Sequence, residues 1–160
     1  MFVYETLSPL SLLDVNLVNL DDKTMSFSLE FYFSYMSEKR NNSFSVSCDG
    51  SVVGYIFGNS GLYKNTPEKY THITALSVSP LVRHCAVGTG LLRLFDLNAY
   101  IHHSKFIDLF VRVSNTKAIA FYQHNAYAFH EKIDMYYHDP SEDAWDMRKY
   151  LPDQLSDSES

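Results

Sequence analysis

The chain has 160 residues, 46% of them apolar, and its 12 Tyr and 11 Phe make one domain with a ring-rich core the expectation. A formal net charge of -6 argues against a nucleic-acid footprint. No run reaches the roughly 18 apolar residues of a membrane span, and the opening MFVYETLS lacks the basic-then-apolar order of a secretory leader, so a cytoplasmic location with reduced thiols at Cys48 and Cys85 is expected.

Ser8 can cap, and Pro9 open, a helix in which Leu10, Leu13, Leu17 and Leu20 recur at helical spacing. Leu12 and Val18 fall off that line and give it a second apolar face, suited to a place between the core and a partner. Asn19 to Phe27 reads as a polar connection, Leu29 to Met36 as a second short helix, and Lys39 to Ser43 as a loop. From Phe44 the period becomes two. Phe44, Val46 and Cys48, then Asp49-Gly50, then Val52 to Phe57 predict a hairpin, because Asp-Gly supplies the positive φ angles of a tight turn.

Gly58 to Lys69 reads as a loop or strand edge, and His72 to Val78 as a strand. Pro80 breaks it, and a loop with Arg83, Gly88 and Gly90 leads into a helix through Leu91, Leu92, Leu94 and Phe95. Such a loop can aim several backbone N–H groups, backed by the helix dipole, at a phosphate or diphosphate. It carries neither the Lys-Ser/Thr of a P-loop nor a full GxGxxG. Phe106 to Val113 predicts a buried strand, Asn115 the cap of a helix bearing Ala118, Ile119, Phe121 and Tyr122, and Ile133 to Tyr137 and Ala144 to Tyr150 two further strands. Arg148 and Lys149 read as a solvated strand face, and Asp153 to Ser160 as a disordered acidic end. The order gives a mixed α/β domain with a central sheet, residues 1–150, and a tail over 151–160. No histidine grouping suggests a metal site.

The segment Arg83-His84-Cys85-Ala86-Val87-Gly88 resembles the acetyl-CoA signature of the GNAT acetyltransferases, with Ala86 where the first glycine usually stands. The resemblance narrows at Asp108 to Asn115 with Tyr122, at Glu142 to Lys149, at Tyr136-Tyr137 and at His72 to Val78. These are similar to the catalytic subunits of NatB-type N-terminal acetyltransferases, from about Leu10 to Tyr150.

That resemblance implies a GNAT fold, a mixed central sheet flanked by helices, and acetyl transfer from acetyl-CoA to the α-amine of nascent chains beginning Met-Asp, Met-Glu, Met-Asn or Met-Gln. It also implies a large helical auxiliary subunit that brings the enzyme to the ribosome, with no metal. Acetyl-CoA would meet Leu76, Ser77, Val78, Arg83, His84, Ala86, Val87, Gly88, Thr89, Asn115 and Tyr122. The peptide would meet Phe27, His72, Thr74, Tyr136 and Tyr137. Where the family has a Glu-x-Tyr segment this chain has Met25-Ser26-Phe27, which bears on specificity.

The chemistry makes modest demands. An α-amine of pKa about 8 is already partly free at neutral pH, so little base help is needed. A backbone N–H from Leu76 to Val78 can meet the developing oxyanion, Tyr122 is the candidate acid for the departing sulfur, and His72 and Tyr137 are both candidate bases. Two readings compete: an interaction subunit whose cofactor affinity Ala86 has weakened, and a GNAT acting on another amine class.

Overall fold

The computed structural model describes residues 1–8, 11, 18, 28, 30–32, 34 and 41–153. Among the described residues these strands and α-helices follow one another: β1 (Phe2–Thr6), β2 (Asn41–Cys48), β3 (Ser51–Leu62), β4 (Lys69–Val78), α1 (Val87–Ile101), β5 (Phe106–Arg112), α2 (Thr116–His124), β6 (Ala128–His138) and β7 (Ser141–Tyr150). The strands form one seven-stranded sheet in the order β1-β2-β3-β4-β5-β7-β6. Its pairs are antiparallel except β4 with β5. A parallel pair needs a long crossover, and α1 supplies it.

Two apolar clusters hold the sheet. On one face α1 buries Val87, Leu91, Leu92, Phe95 and Ala99 at a helical period against Val46, Ile56, Ile73, Ile107, Leu109 and Met147. Each fully buried Leu, Ile or Phe there contributes about 1.5–3 kcal/mol, and truncating Phe95 to Ala would cost about 3–5 kcal/mol. Ala118, Ile119, Phe121 and Tyr122 of α2 pack on the same cluster. The second cluster joins Leu7, Val18, Tyr32, Val52, Tyr55 and Phe57, with the Tyr32 and Phe57 rings edge to face at 5.6 Å.

The Asp49-Gly50 turn forms as the sequence predicts, with φ of 50° and 83°. Asn115 caps α2, its side chain accepting from the Ala118 N–H at 3.3 Å. Ser8 Oγ accepts from the Ser11 N–H at 3.2 Å, the bond expected of a cap, and Glu30, Phe31, Tyr32 and Ser34 are helical, but the rest of the two helices expected from the sequence lies outside the described residues. So do residues 154–160 of the expected tail.

Several boundaries differ from the sequence reading. Phe2–Thr6 is a strand, pairing with Thr6↔Phe44 to Phe2↔Cys48 along β2, which itself starts at Asn41 rather than after a loop. β3 runs on to Leu62 and β6 begins at Ala128, because ladder pairing extends both beyond their apolar centres. Arg148 and Lys149 are not a solvated face. Arg148 is 8% exposed and ion-paired with Asp146 at 2.9 Å, while Lys149 reaches Asp96 at 2.6 Å. A buried guanidinium needs such a partner, and here it also lies over the Phe106 ring at 4.5 Å.

Candidate active site

The site begins where β4 and β5 part. They pair only from Tyr70↔Phe106 to Ile73↔Leu109, although β4 continues to Val78 and β5 to Arg112. On the other edge of β4 the register slips: Gly58 pairs with Ile73 and Phe57 with Ala75, so Thr74 is an extra, bulged residue. A bulge bends its strand, and here the parting of the strands follows it. Gly58 makes the close approach possible, since a Cβ there would collide with the His72 carbonyl and the Phe95 ring.

A cavity of about 1070 Å³ fills the opening. Thr74, Leu76, Ser77 and Val78 line one wall, and Leu109, Phe110, Val111, Arg112 and Tyr137 the opposite one. Arg83, His84, Ala86, Val87, Gly88 and Thr89 close it at the entrance of α1, and Asn115 and Tyr122 from α2. All eleven positions to which the resemblance assigns acetyl-CoA contacts therefore face one space.

The loop has an unusual backbone. Ser79 caps a short 3-10 turn, Pro80–Val82, and then His84 and Ala86 both take left-handed conformations, with φ of 66° and 59°. A left-handed residue next to one of the opposite hand turns successive N–H groups to one side, the anion-binding geometry called a nest, and His84 and Ala86 flank Cys85, whose φ is not positive. Ala86 is also the N-cap of α1 and offers no side-chain bond to its first turn. The Arg83 Nε donates to the Val78 carbonyl at 3.4 Å, tying the loop to the strand end. The glycines serve close packing: a Cβ at Gly88 would stand 3.1 Å from the Phe121 ring, and one at Gly90 would collide with the Tyr4 hydroxyl.

Tyr122 lies with its ring 5.9 Å from that of Tyr127, and burial first, then Tyr137, raises its phenol above the ordinary value. The Tyr137 hydroxyl donates to the Phe110 carbonyl at 3.3 Å. Burial, with Tyr136 next in effect, pushes its phenol up to about 12. His72 and Tyr136 stand beside the cavity rather than in its wall. Their rings pack on Phe110 at 5.0 and 4.9 Å, and His72 Nδ1 lies 2.7 Å from Asp108 Oδ1. Phe27 lies outside the described residues.

The sequence reading passed over Phe110, Arg112, Lys117 and Phe121 in the walls, and Asp108 behind His72. The alternation of β5 held the signal, since Asp108, Phe110 and Arg112 must share one face. His130, Glu131 and Asp146 bring ligand atoms within 4.8 Å of one another, but Asp146 already gives both oxygens to Arg148. Among the described residues no helix is long and apolar enough to cross a membrane.

Residues 12–127 match the model of the acetyltransferase (GNAT) family. The N-terminal acetyltransferase B complex catalytic subunit naa20 of Schizosaccharomyces pombe is 35% identical over 147 residues, covering 88% of this chain and 80% of that one. The crystal structure of Chaetomium thermophilum Naa20 in complex with a bisubstrate analogue superposes with a TM-score of 0.85 at 31% identity, covering 93% of this chain and 86% of that one. A structure of the NatB acetyltransferase complex bound to CoA and MES superposes at 0.82 and 30% identity, covering 94% and 99%. With the family model matched over most of the chain and these relatives alike over at least four-fifths of both lengths, the chain belongs to the GNAT acetyltransferase family, among its N-terminal acetyltransferases of the NatB catalytic type.

Proposed function

We propose that this chain moves the acetyl group of acetyl-CoA to the α-amine of polypeptides beginning Met-Asp, Met-Glu, Met-Asn or Met-Gln. The observation that carries the reading is the opening between β4 and β5, where the parted strand edges, a left-handed loop at a helix entrance and the partly buried Tyr122 phenol border one cavity. Those features match the three parts of the donor: a diphosphate for the loop, an amide-bearing arm for the strand edge, and a thioester near Tyr122. The likeness to a NatB complex bound to CoA supports the same donor.

In this reading Arg83, His84, Ala86, Val87, Gly88 and Thr89 hold the diphosphate, and the backbone of Leu76, Ser77 and Val78 runs along the arm with Asn115. The bound donor supplies an activated acetyl group. An N–H of Leu76 to Val78 meets the carbonyl oxygen as negative charge builds on it. Tyr122, kept protonated by burial, gives or shares its proton with the departing sulfur. Tyr137 is an unsuitable direct base, because a phenol held at about 12 and donating to Phe110 is protonated at neutral pH. Base help falls to His72 or to water, and the amine needs little of it.

His72 and Thr74 border the peptide's second side chain and Tyr136 and Tyr137 its backbone, with Phe27 the remaining expected contact. Residues 1–150 are the catalytic domain and 151–160 an acidic tail. A large helical auxiliary subunit binds the face expected of Leu10, Leu13, Leu17 and Leu20 and brings the enzyme to nascent chains at the cytoplasmic ribosome; the likeness to a structure of a NatB complex supports such a partner. The test is acetyl transfer to Met-Asp, Met-Glu, Met-Asn, Met-Leu and Ser-Glu peptides and to an N-blocked lysine peptide, with and without the auxiliary subunit. Selective labelling of the Met-acid and Met-amide peptides is expected; equal labelling of the lysine peptide would sink the proposal.

A further inference from the structure

Asp108 is a buried acid, 5% exposed, and an ionised carboxylate there needs a partner. Arg148 stands opposite it in the β5–β7 register but turns its guanidinium to Asp146. The hydrogen-bonding partner of Asp108 is His72 Nδ1 at 2.7 Å. A carboxylate only accepts, so the proton of that bond sits on Nδ1. The imidazole is thus held on two sides, by Asp108 through Nδ1 and by the Phe110 ring at 5.0 Å, and Phe110 is itself part of the cavity wall. The ring's remaining polar atom is Nε2, and the side chain is partly exposed beside that wall.

We propose that Asp108 is the positioning residue for recognition of the peptide's second side chain, fixing through Nδ1 which nitrogen of His72 meets an acidic group bound beside Phe110. This rests on the function proposed above, which puts the second residue at His72. A carboxylate arriving at Nε2 places the imidazole between two carboxylates, the arrangement in which both ring nitrogens donate. An amide is less demanding, since it can offer either its oxygen or its NH₂ to Nε2.

The other charged or titratable groups around the pair do not supply this. Arg148 is committed to Asp146, and Tyr70 and Tyr136 are phenols raised by burial and then by the charge of Asp108 itself. The sign of the effect is diagnostic. If Asp108 did not act through His72, its negative charge beside the bound peptide would repel an incoming carboxylate, and neutralising it would improve acidic substrates.

The experiment compares kcat and KM for Met-Asp and Met-Asn peptides using the full chain with its co-expressed auxiliary subunit, as wild type, Asp108→Asn, His72→Gln and the double variant. In Asp108→Asn, KM for Met-Asp is expected to rise about tenfold and KM for Met-Asn by no more than about threefold. In the His72→Gln background the ratio of the two should not move further. An equal rise for both peptides, or a fall for Met-Asp, overturns the inference. Should Asp108→Asn fail to fold, the ring ¹⁵N shifts of His72 in the wild type decide: a protonated Nδ1 supports it, and Nε2 as the sole protonated nitrogen overturns it. A wild type inactive on both peptides overturns the proposed function and this inference with it. A wild type selective for them, with an unchanged ratio in Asp108→Asn, overturns this inference alone.

Discussion

Arg112 lies under Tyr137, its guanidinium carbon 4.0 Å from the ring centroid, while its nitrogens donate to the Asp139 and Pro140 carbonyls at 3.2 and 3.0 Å. The same side chain meets Glu142 at 3.3 Å, and Glu142 accepts from the Ser114 N–H at 2.7 Å, one residue before the cap Asn115. One arginine therefore ties the β6–β7 turn, Tyr137 and the start of α2 into a unit on the cavity wall. Replacing it with Ala should cost about 1–2 kcal/mol of stability and raise the peptide KM several-fold. Thermal melts and peptide titrations check this, and an unchanged KM would mean the unit does not shape the site.

The same turn sets an acid limit. Glu142 is held below the usual carboxylate range by its bonds to Ser114 and then to Arg112, and Asp143 by the Met135 N–H and then by Lys132. A depressed folded value means stability that is complete above the ordinary carboxylate range and lost as pH falls through the lowered values. Tyr122, Tyr127 and Tyr137 work the other way: raised by burial, they stabilise fully below the ordinary phenol value and lose that contribution as pH rises through and above about 10. The melting temperature should therefore fall below about pH 4 and above about pH 10, with Glu142→Gln flattening the acid limb. An acid limb identical in the two proteins would remove Glu142 from the account.

Tyr122→Phe tests the acid. The ring and its packing against Phe121 at 5.4 Å remain, so acetyl-CoA affinity should change little while kcat falls about 100-fold. Full retention of kcat would mean that the sulfur leaves without this proton.

How much of this the sequence reveals depends on the range of the interaction. The Asp49-Gly50 turn and the Asn115 cap are decided within four residues, and both form as read. The cavity contacts of the Arg83 to Thr89 loop were legible by resemblance. The bulge at Thr74 was not, because it depends on Gly58, sixteen positions earlier, letting the His72 backbone approach. Nor was the environment of Arg148: a charged residue in an alternating strand looks solvated until Asp146, Phe106 and Tyr63 close around it. β1 was missed because its burial is one-sided and slight, with only Phe2 even half-buried among its five residues.

Ala86→Gly separates a working loop from an eroded one. Alanine already holds φ at 59°, at a cost of about 1 kcal/mol that glycine would relieve. Since the loop is already in place around the cavity, acetyl-CoA affinity should rise by no more than about fivefold. A gain of a hundredfold by calorimetry would instead support the weakened-cofactor reading.

Gly58→Ala bears on the opening itself. The added methyl would meet the His72 carbonyl and the Phe95 ring, neither of which can retreat, one being a backbone atom beside the bulge and the other fully buried in the α1 core. The ladder must shift at Ile73 and Thr74, where β4 begins to leave β5. A loss of about 3 kcal/mol is expected, with acetyl-CoA binding weakened in whatever fraction stays folded. Gly61→Ala, on the same strand, is the control: its methyl would meet only the Tyr70 ring at 3.4 Å, an ordinary contact. If Gly58→Ala lowers stability but binds acetyl-CoA as tightly as Gly61→Ala, the cavity does not depend on the bulge. Loss of both together would tie the parting of the two strands to the residue that permits it.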